Sequence, residues 1–219
     1  MVKERNEFAK NFGYIDNYHL ALEIKDQTPE NLKLFFDEIE LKTRTPYFEA
    51  KRIIDKMLSK RYKIKLAELN PWCYKEDQSS YLPQKFKLEM DSLFYNIDPI
   101  QKTENFFDQI GIPIHDIIDH SDLKYRKEKS AITSMINVDF KNDIRLISSI
   151  QHTHDGMYKM MHLGGHASHY KSISENVPYL LKNPNSAIGE GISKYFEHLA
   201  FNYEWLSNEI KFNARNQKK

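Results

Sequence analysis

The stretch "AITSMINVDFKNDIRLISSIQHTHDGMYKMMHLGGHASHY", residues 131–170, decides the reading of the fold. Its first half holds two β-prone runs, 131–137 and 143–150, around the turn-rich centre "DFKND", which is the pattern of an antiparallel hairpin. Its second half changes period. His162 and His166 stand four residues apart, the spacing at which two side chains share one face of an α-helix. Two imidazoles so placed are the device by which a helix holds a zinc ion.

Working outward, the rest of the chain is marked mainly by helix starts. "QTPEN" and "RTPYF" each put a threonine before a proline, and "IDPIQ" does the same with Asp98 and Pro99. These predict helices over 29–42, 46–61 and 99–110, the last ended by "GIP" at 111–113. At the start, Phe8, Phe12, Tyr14, Tyr18 and Leu20 are spaced to face a core from a helix. The segment 70–84 has proline, polar residues and little periodicity, and reads as a loop carrying Trp72. The expected fold is mainly α: a helical domain with a small antiparallel β-hairpin or sheet beside the histidine helix. One core domain over 1–206, with two lobes as the alternative, and a polar tail over 207–219 complete the organisation.

Composition narrows the function. With 40% hydrophobic and 13% aromatic residues the chain can bury a core, and it is not disordered. Thirty-two basic against 31 acidic residues leave a formal charge of +1, so nothing draws the chain as a whole to nucleic acid or an anionic membrane. The basic runs "KYRKEK" and "KRYKIK" read as solvated helix faces. The single Cys73 rules out an internal disulfide, and neither a leader nor an apolar run of membrane length is present. A reducing compartment, most simply the cytoplasm, is the expectation.

A histidine pair at this spacing is common by chance among nine histidines, so its surroundings carry the argument. Gly164 and Gly165 lie between the two, where each glycine costs about 1 kcal/mol relative to alanine in a helix interior; close packing of another element is the natural reason. Glu190 follows His166 by 24 residues, in a segment where Asn185 or Ser186 can cap a second helix. Two imidazoles on one helix and a carboxylate on the next leave the fourth tetrahedral position for water.

The order "NDIRLISSI", "HLGGHASHY", "PYLLKNPNSAIGEGIS" resembles the gluzincin zinc peptidases related to angiotensin-converting enzyme and the thimet-type oligopeptidases. Upstream, "LNPWCY" and "IGIPIHDIIDHSDLKYRKEKSAITSMINVD" resemble the approach to the cleft in bacterial members. The likeness covers most of residues 1–206, with specific motifs only over 143–192. It implies zinc held by His162, His166 and Glu190, and a cleft strand over 143–150, with Arg145, Ile147 and Ser149 along it, whose outer edge binds an extended peptide.

The departures are equally specific. Leu163 stands where the family has the catalytic glutamate, so the general-base position holds no base. Lys194 occupies the place of the carboxylate that orients a ligand histidine, and Glu197, two turns beyond Glu190, is the candidate substitute. The family's tyrosine and histidine that stabilise the tetrahedral intermediate come well after the third ligand, and only 29 residues follow Glu190. His169 is a candidate outer ligand or donor behind the metal, set against plain packing beside Tyr170. His152 and His154 read as loop or capping residues. Trp72, Tyr74, Phe106 and Phe107 read as core, Cys73 as unreactive, and "FDEIE" at 36–40 as surface. The expected function is a zinc-metallopeptidase-like protein with little or no activity. The alternatives are half of a split enzyme completed by a second chain, and a metal-free helical module that binds a peptide.

Overall fold

The computed structural model describes residues 1–74, 91–129, 132–141, 143–183 and 185–211, and the chain divides into two compact units, Met1–Leu88 and Glu89–Lys219. The last residues of the expected tail, 212–219, and most of the loop expected at 70–84 lie outside the described residues.

The first unit is helical. Helices α1 (Val2–Asn11) and α2 (Asn17–Glu23) pack on each other, and Asp16 caps α2 by accepting from the His19 amide at 3.0 Å. So short a pair encloses one small residue, Ala9. The expected inward aromatics Phe8, Phe12 and Tyr18 are exposed instead. Thr28 caps α3 (Pro29–Tyr62), its hydroxyl accepting from the Asn31 amide at 3.1 Å. Two helices were expected here, broken before Pro46, but α3 runs through it. The Thr43 hydroxyl donates to the Ile39 carbonyl at 2.8 Å, and ion pairs one turn apart (Lys33 with Asp37, Lys42 with Glu38, Arg44 with Glu40, Lys51 with Asp55) brace the turns on both sides. The acidic run at 36–40 is therefore surface, as expected. A 3-10 turn at Pro71–Tyr74 is tied to α3 where the Tyr74 hydroxyl donates to Asp55 at 2.6 Å. Trp72, expected in the core, is 68% exposed on this turn, and Cys73 is buried and free.

The second unit holds helices α4 (Asp91–Phe94), α5 (Pro99–Gln109), α6 (His115–Asp119), α7 (His154–Lys171), α8 (Ser186–Leu199) and α9 (Tyr203–Glu209). A small sheet of strands β1 (Asp122–Lys124), β2 (Ser134–Asn137) and β3 (Ile144–Ile150) precedes α7. The predicted hairpin is β2–β3, pairing Ser134 with Ile147 and Asn137 with Ile144. The order is β1-β3-β2, with β1 parallel to β3, so the strand read as an open edge is the middle of the sheet.

Burial alternates along β3: Ile144, Leu146, Ser148 and Ile150 point inward, and Ile144, Leu146 and Ile150 belong with Phe107, Met160 and Leu163 to the principal core. Thr153 caps α7, accepting from the Gly156 amide at 3.0 Å; a Cβ on Gly156 would stand 2.0 Å from the Gln151 carbonyl oxygen. Gly164 and Gly165 have the packing role the sequence suggests. A Cβ on Gly164 would meet the Phe107 ring of α5 at 2.3 Å, and one on Gly165 the Ser193 Cα of α8 at 2.6 Å. The two glycines let α7 lie close between α5 and α8, and that closeness builds the site.

Candidate metal centre

Tyr158, His162 and His166 follow one another at four-residue steps along the α7 face turned to α8. Asn185 caps α8 by accepting from the Ala187 amide at 2.9 Å, and the following turns carry Glu190, Lys194 and Glu197. With the helices drawn together at Gly165, the His166 and His162 Nε2 atoms stand 3.1 Å apart. Glu190 reaches both, with Oε1 3.4 Å from His166 Nε2 and Oε2 3.8 Å from His162 Nε2. A tetrahedral centre with bonds of about 2.0–2.2 Å has ligand–ligand edges of about 3.3–3.6 Å. The two Glu190 distances end on different oxygens, and with one ligand atom taken from each residue the three lie within 4.8 Å of one another, close enough for a small turn of the Glu190 side chain to bring them around one divalent cation.

The far side of His162 is fixed. Its Nδ1 stands 2.7 Å from Glu197 Oε2, and the Glu197 side chain is only 4% exposed. That contact sets His162 as the Nδ1–H tautomer and leaves the Nε2 lone pair facing Glu190 and His166. Lys194 grips the same carboxylate at 2.8 and 3.0 Å and lies 3.4 Å from the Tyr158 hydroxyl. Burial opposes ionisation of Glu197, but Lys194, Tyr158 and His162 outweigh it and hold the carboxyl below its usual range. Burial, with the neighbouring Glu197, pushes the Tyr158 hydroxyl up. Burial and the charge of His162 lower His166, which favours the neutral imidazole that a cation needs.

The other sequence candidates fall apart from this cluster. His169 packs beside Tyr170 at 5.7 Å between ring centroids and is not among the converging ligands. Leu163, one residue after His162, is 1% exposed and belongs to the principal core rather than the α8-facing surface. Arg145, Ile147 and Ser149 lie on the β3 face away from that core, and Arg145 pairs with Asp143 at 2.7 Å. Since β1 and β2 flank β3, the edge on the hairpin side is that of β2, which pairs with no further strand among the described residues. The Val138 amide donates to the Asp143 carbonyl at 2.8 Å, which makes 138 and 143 a hydrogen-bonded pair; by alternation, Met135 and Asn137 turn their backbone groups away from β3.

His154 is a structural residue: its Nε2 lies 3.0 Å from the Ala200 carbonyl and its ring between Phe94 and Phe201. Phe107 is fully buried, as expected of core. Sequence reasoning missed Tyr158 and the clamp formed by Lys194. Tyr158 was legible one turn before His162, whereas Lys194 registered only as a lost carboxylate. No helix among the described residues is long and apolar enough to cross a membrane. Compared with known proteins, the chain matches no family model and no curated protein.

Proposed function

We propose that this protein is a zinc-binding relative of the gluzincin peptidases that holds the metal through His162, His166 and Glu190 but hydrolyses peptides weakly or not at all. The observation that carries the reading is the convergence of the two Nε2 atoms and the Glu190 carboxylate, one ligand atom from each lying within 4.8 Å of the others. A zinc ion there would act as a Lewis acid on a carbonyl oxygen and lower the pKa of a coordinated water to about 7. Glu197 holds His162 in the ligating tautomer, and Lys194 holds Glu197. Glu190 and Glu197 against Lys194 leave the cluster one negative charge when the imidazoles are neutral, which suits a divalent cation.

The position that would hold the proton-accepting glutamate holds leucine. Leu163 has no acceptor atom and is packed into the core, so nothing at that position takes a proton from water or returns it to a leaving amine. An extended peptide is the ligand that suits the sheet. It would add along β2, bonding to the outward backbone groups of Met135 and Asn137, rather than along β3. A single buried Cys73 suits a reducing compartment such as the cytoplasm.

Metal analysis of purified protein, with competition against a chromophoric chelator, tests the reading. The expected result is about one zinc per chain, lost in His166→Ala and in Glu190→Ala. Protein that takes up no zinc would overturn it in favour of a metal-free helical module that binds peptides. Hydrolysis appearing only when a second chain is added would assign it to a split enzyme.

A further inference from the structure

Helix α3 is 34 residues long, and among the described residues none of its side chains is buried. Phe35, Phe36, Ile39, Tyr47, Ile53 and Met57 are 40–59% exposed. At the helical advance of about 100° per residue, all six fall within about a third of the circumference, with Thr43 filling the gap between Ile39 and Tyr47. A long apolar stripe on a charged helix is a packing face, because a monomer seldom leaves so much contiguous apolar surface in water. The charges of α3 divide end from end. Four acidic residues and one basic over 29–41 give a net −3, and seven basic and two acidic over 42–62 give a net +5. Complementing the helix dipole accounts only for the first and last turns. Asp37, Glu38 and Glu40 on one side of the middle, and Arg44, Lys51 and Arg52 on the other, lie beyond those turns.

We propose that α3 is a self-association face, and that its occupant is α3 of a second copy of this chain, running antiparallel. Charge complementarity selects that occupant and that direction. A parallel copy would set acidic half against acidic half and basic half against basic half. Turned end for end, each half of net −3 lies along a half of net +5, the apolar stripes face each other and the helix dipoles oppose. The arrangement is a two-fold, so every contact is made twice by one surface. With the axis at the middle of the helix, between Thr45 and Pro46, Glu40 of each copy comes opposite Lys51 of the other, and Lys42 opposite Glu49. The inference belongs to the first unit and is independent of whether His162, His166 and Glu190 hold a metal.

Sedimentation equilibrium on the full chain tests it, and should show a dimer at micromolar concentration. Phe35→Asp combined with Ile39→Asp should weaken association about a hundredfold, the loss of two anchors at the centre of an interface. Neither residue is buried, so the circular dichroism of the variant should match that of the unaltered chain. Charge reversal tests the direction. Asp37→Lys, Glu38→Lys and Glu40→Lys together turn the first half from −3 to +3, and Arg44→Glu, Arg52→Glu, Lys56→Glu and Lys60→Glu turn the second from +5 to −3. Each altered chain should be monomeric by itself, and an equal mixture of the two should restore a dimer containing one of each, which misfolded variants could not do. Carbodiimide coupling between isotope-labelled and unlabelled copies of the unaltered chain should join the acidic half of one to the basic half of the other, Glu40 to Lys51 foremost. A chain that stays monomeric at every concentration would overturn the proposal. So would a dimer indifferent to Phe35→Asp with Ile39→Asp, or one that survives either charge reversal alone.

Discussion

Glu197 accepts from His162 Nδ1 at 2.7 Å while Glu190, two turns earlier on the same helix, faces the opposite nitrogen of that ring at 3.8 Å. One imidazole is thus held from both sides by α8, and the two carboxylates differ in kind. Glu190 is 56% exposed and open to a ligand, whereas Glu197 is buried and committed to His162 and Lys194. A turn holding Lys194 in place of a carboxylate does not disable the site, because the orienting group comes from one turn further along.

Glu197→Gln keeps the size of the side chain but removes its charge, so the His162 Nδ1–H loses a charged acceptor and Lys194 its counter-ion. Zinc affinity should fall about 10–100-fold, the usual cost of losing such a partner. Chelator competition at fixed pH measures it. An affinity equal to that of the unaltered chain would show that Glu197 does not orient His162.

Acidification should destabilise the metal-free protein. Burial lowers the pKa values of His166 and His169 below the ordinary 6.5, so the unfolded chain takes up protons that the folded one resists. With folded values depressed, their stabilisation is complete above about 6.5 and is lost as pH falls through the folded values. Glu197, also depressed, adds a second loss below the ordinary 4.5. Urea midpoints from pH 7.5 down to 5 should decline, and the decline above pH 5 should be smaller in His169→Gln. A flat profile in that range would contradict the burial argument.

Gly165→Ala tests the close approach of α7 and α8. The added methyl would lie 2.6 Å from Ser193 Cα, which is backbone and cannot swing aside. The helices must part, at a cost of about 1–3 kcal/mol in stability, and Glu190 moves away from the histidines with them. Zinc affinity should fall although no ligand has changed. Unaltered zinc binding with an unaltered melting temperature would show that the helices have slack there.

Local signals in the sequence were reliable where chemistry is local. Thr28, Asp98 and Asn185 cap the helices they were expected to start, the hairpin forms at "DFKND", and His162, His166 and Glu190 converge. Features set by distant partners were not legible. The strand β3 reads as an edge until the three residues of β1 pair with it, whereas Pro46 is a local break signal that α3 overrides. The side of α7 that Leu163 occupies depends on where β3 and α5 lie, and no periodicity within "HLGGH" specifies that.

Leu163 stands where the proposed relationship to the gluzincin peptidases would put a glutamate, and its burial decides what introducing one there would do. A free catalytic base must reach water, but Leu163 is packed with Phe107, Leu146 and Met160 in the principal core. In Leu163→Glu the new carboxyl either stays protonated in an apolar site or forces the core open, and losing a buried leucine alone costs about 2–5 kcal/mol. The variant should therefore melt well below the unaltered chain and gain no peptidase activity when zinc-loaded. Leu163→Met, close to it in volume, should cost less than about 1.5 kcal/mol and serves as the packing control. Thermal melts and a mixed-peptide cleavage assay on the three proteins separate the cases. Robust cleavage by Leu163→Glu with little loss of stability would show that residue 163 turns readily toward the cluster and that its identity alone silences the site. Robust cleavage by the unaltered chain would overturn the reading of this protein as a peptidase relative without a base.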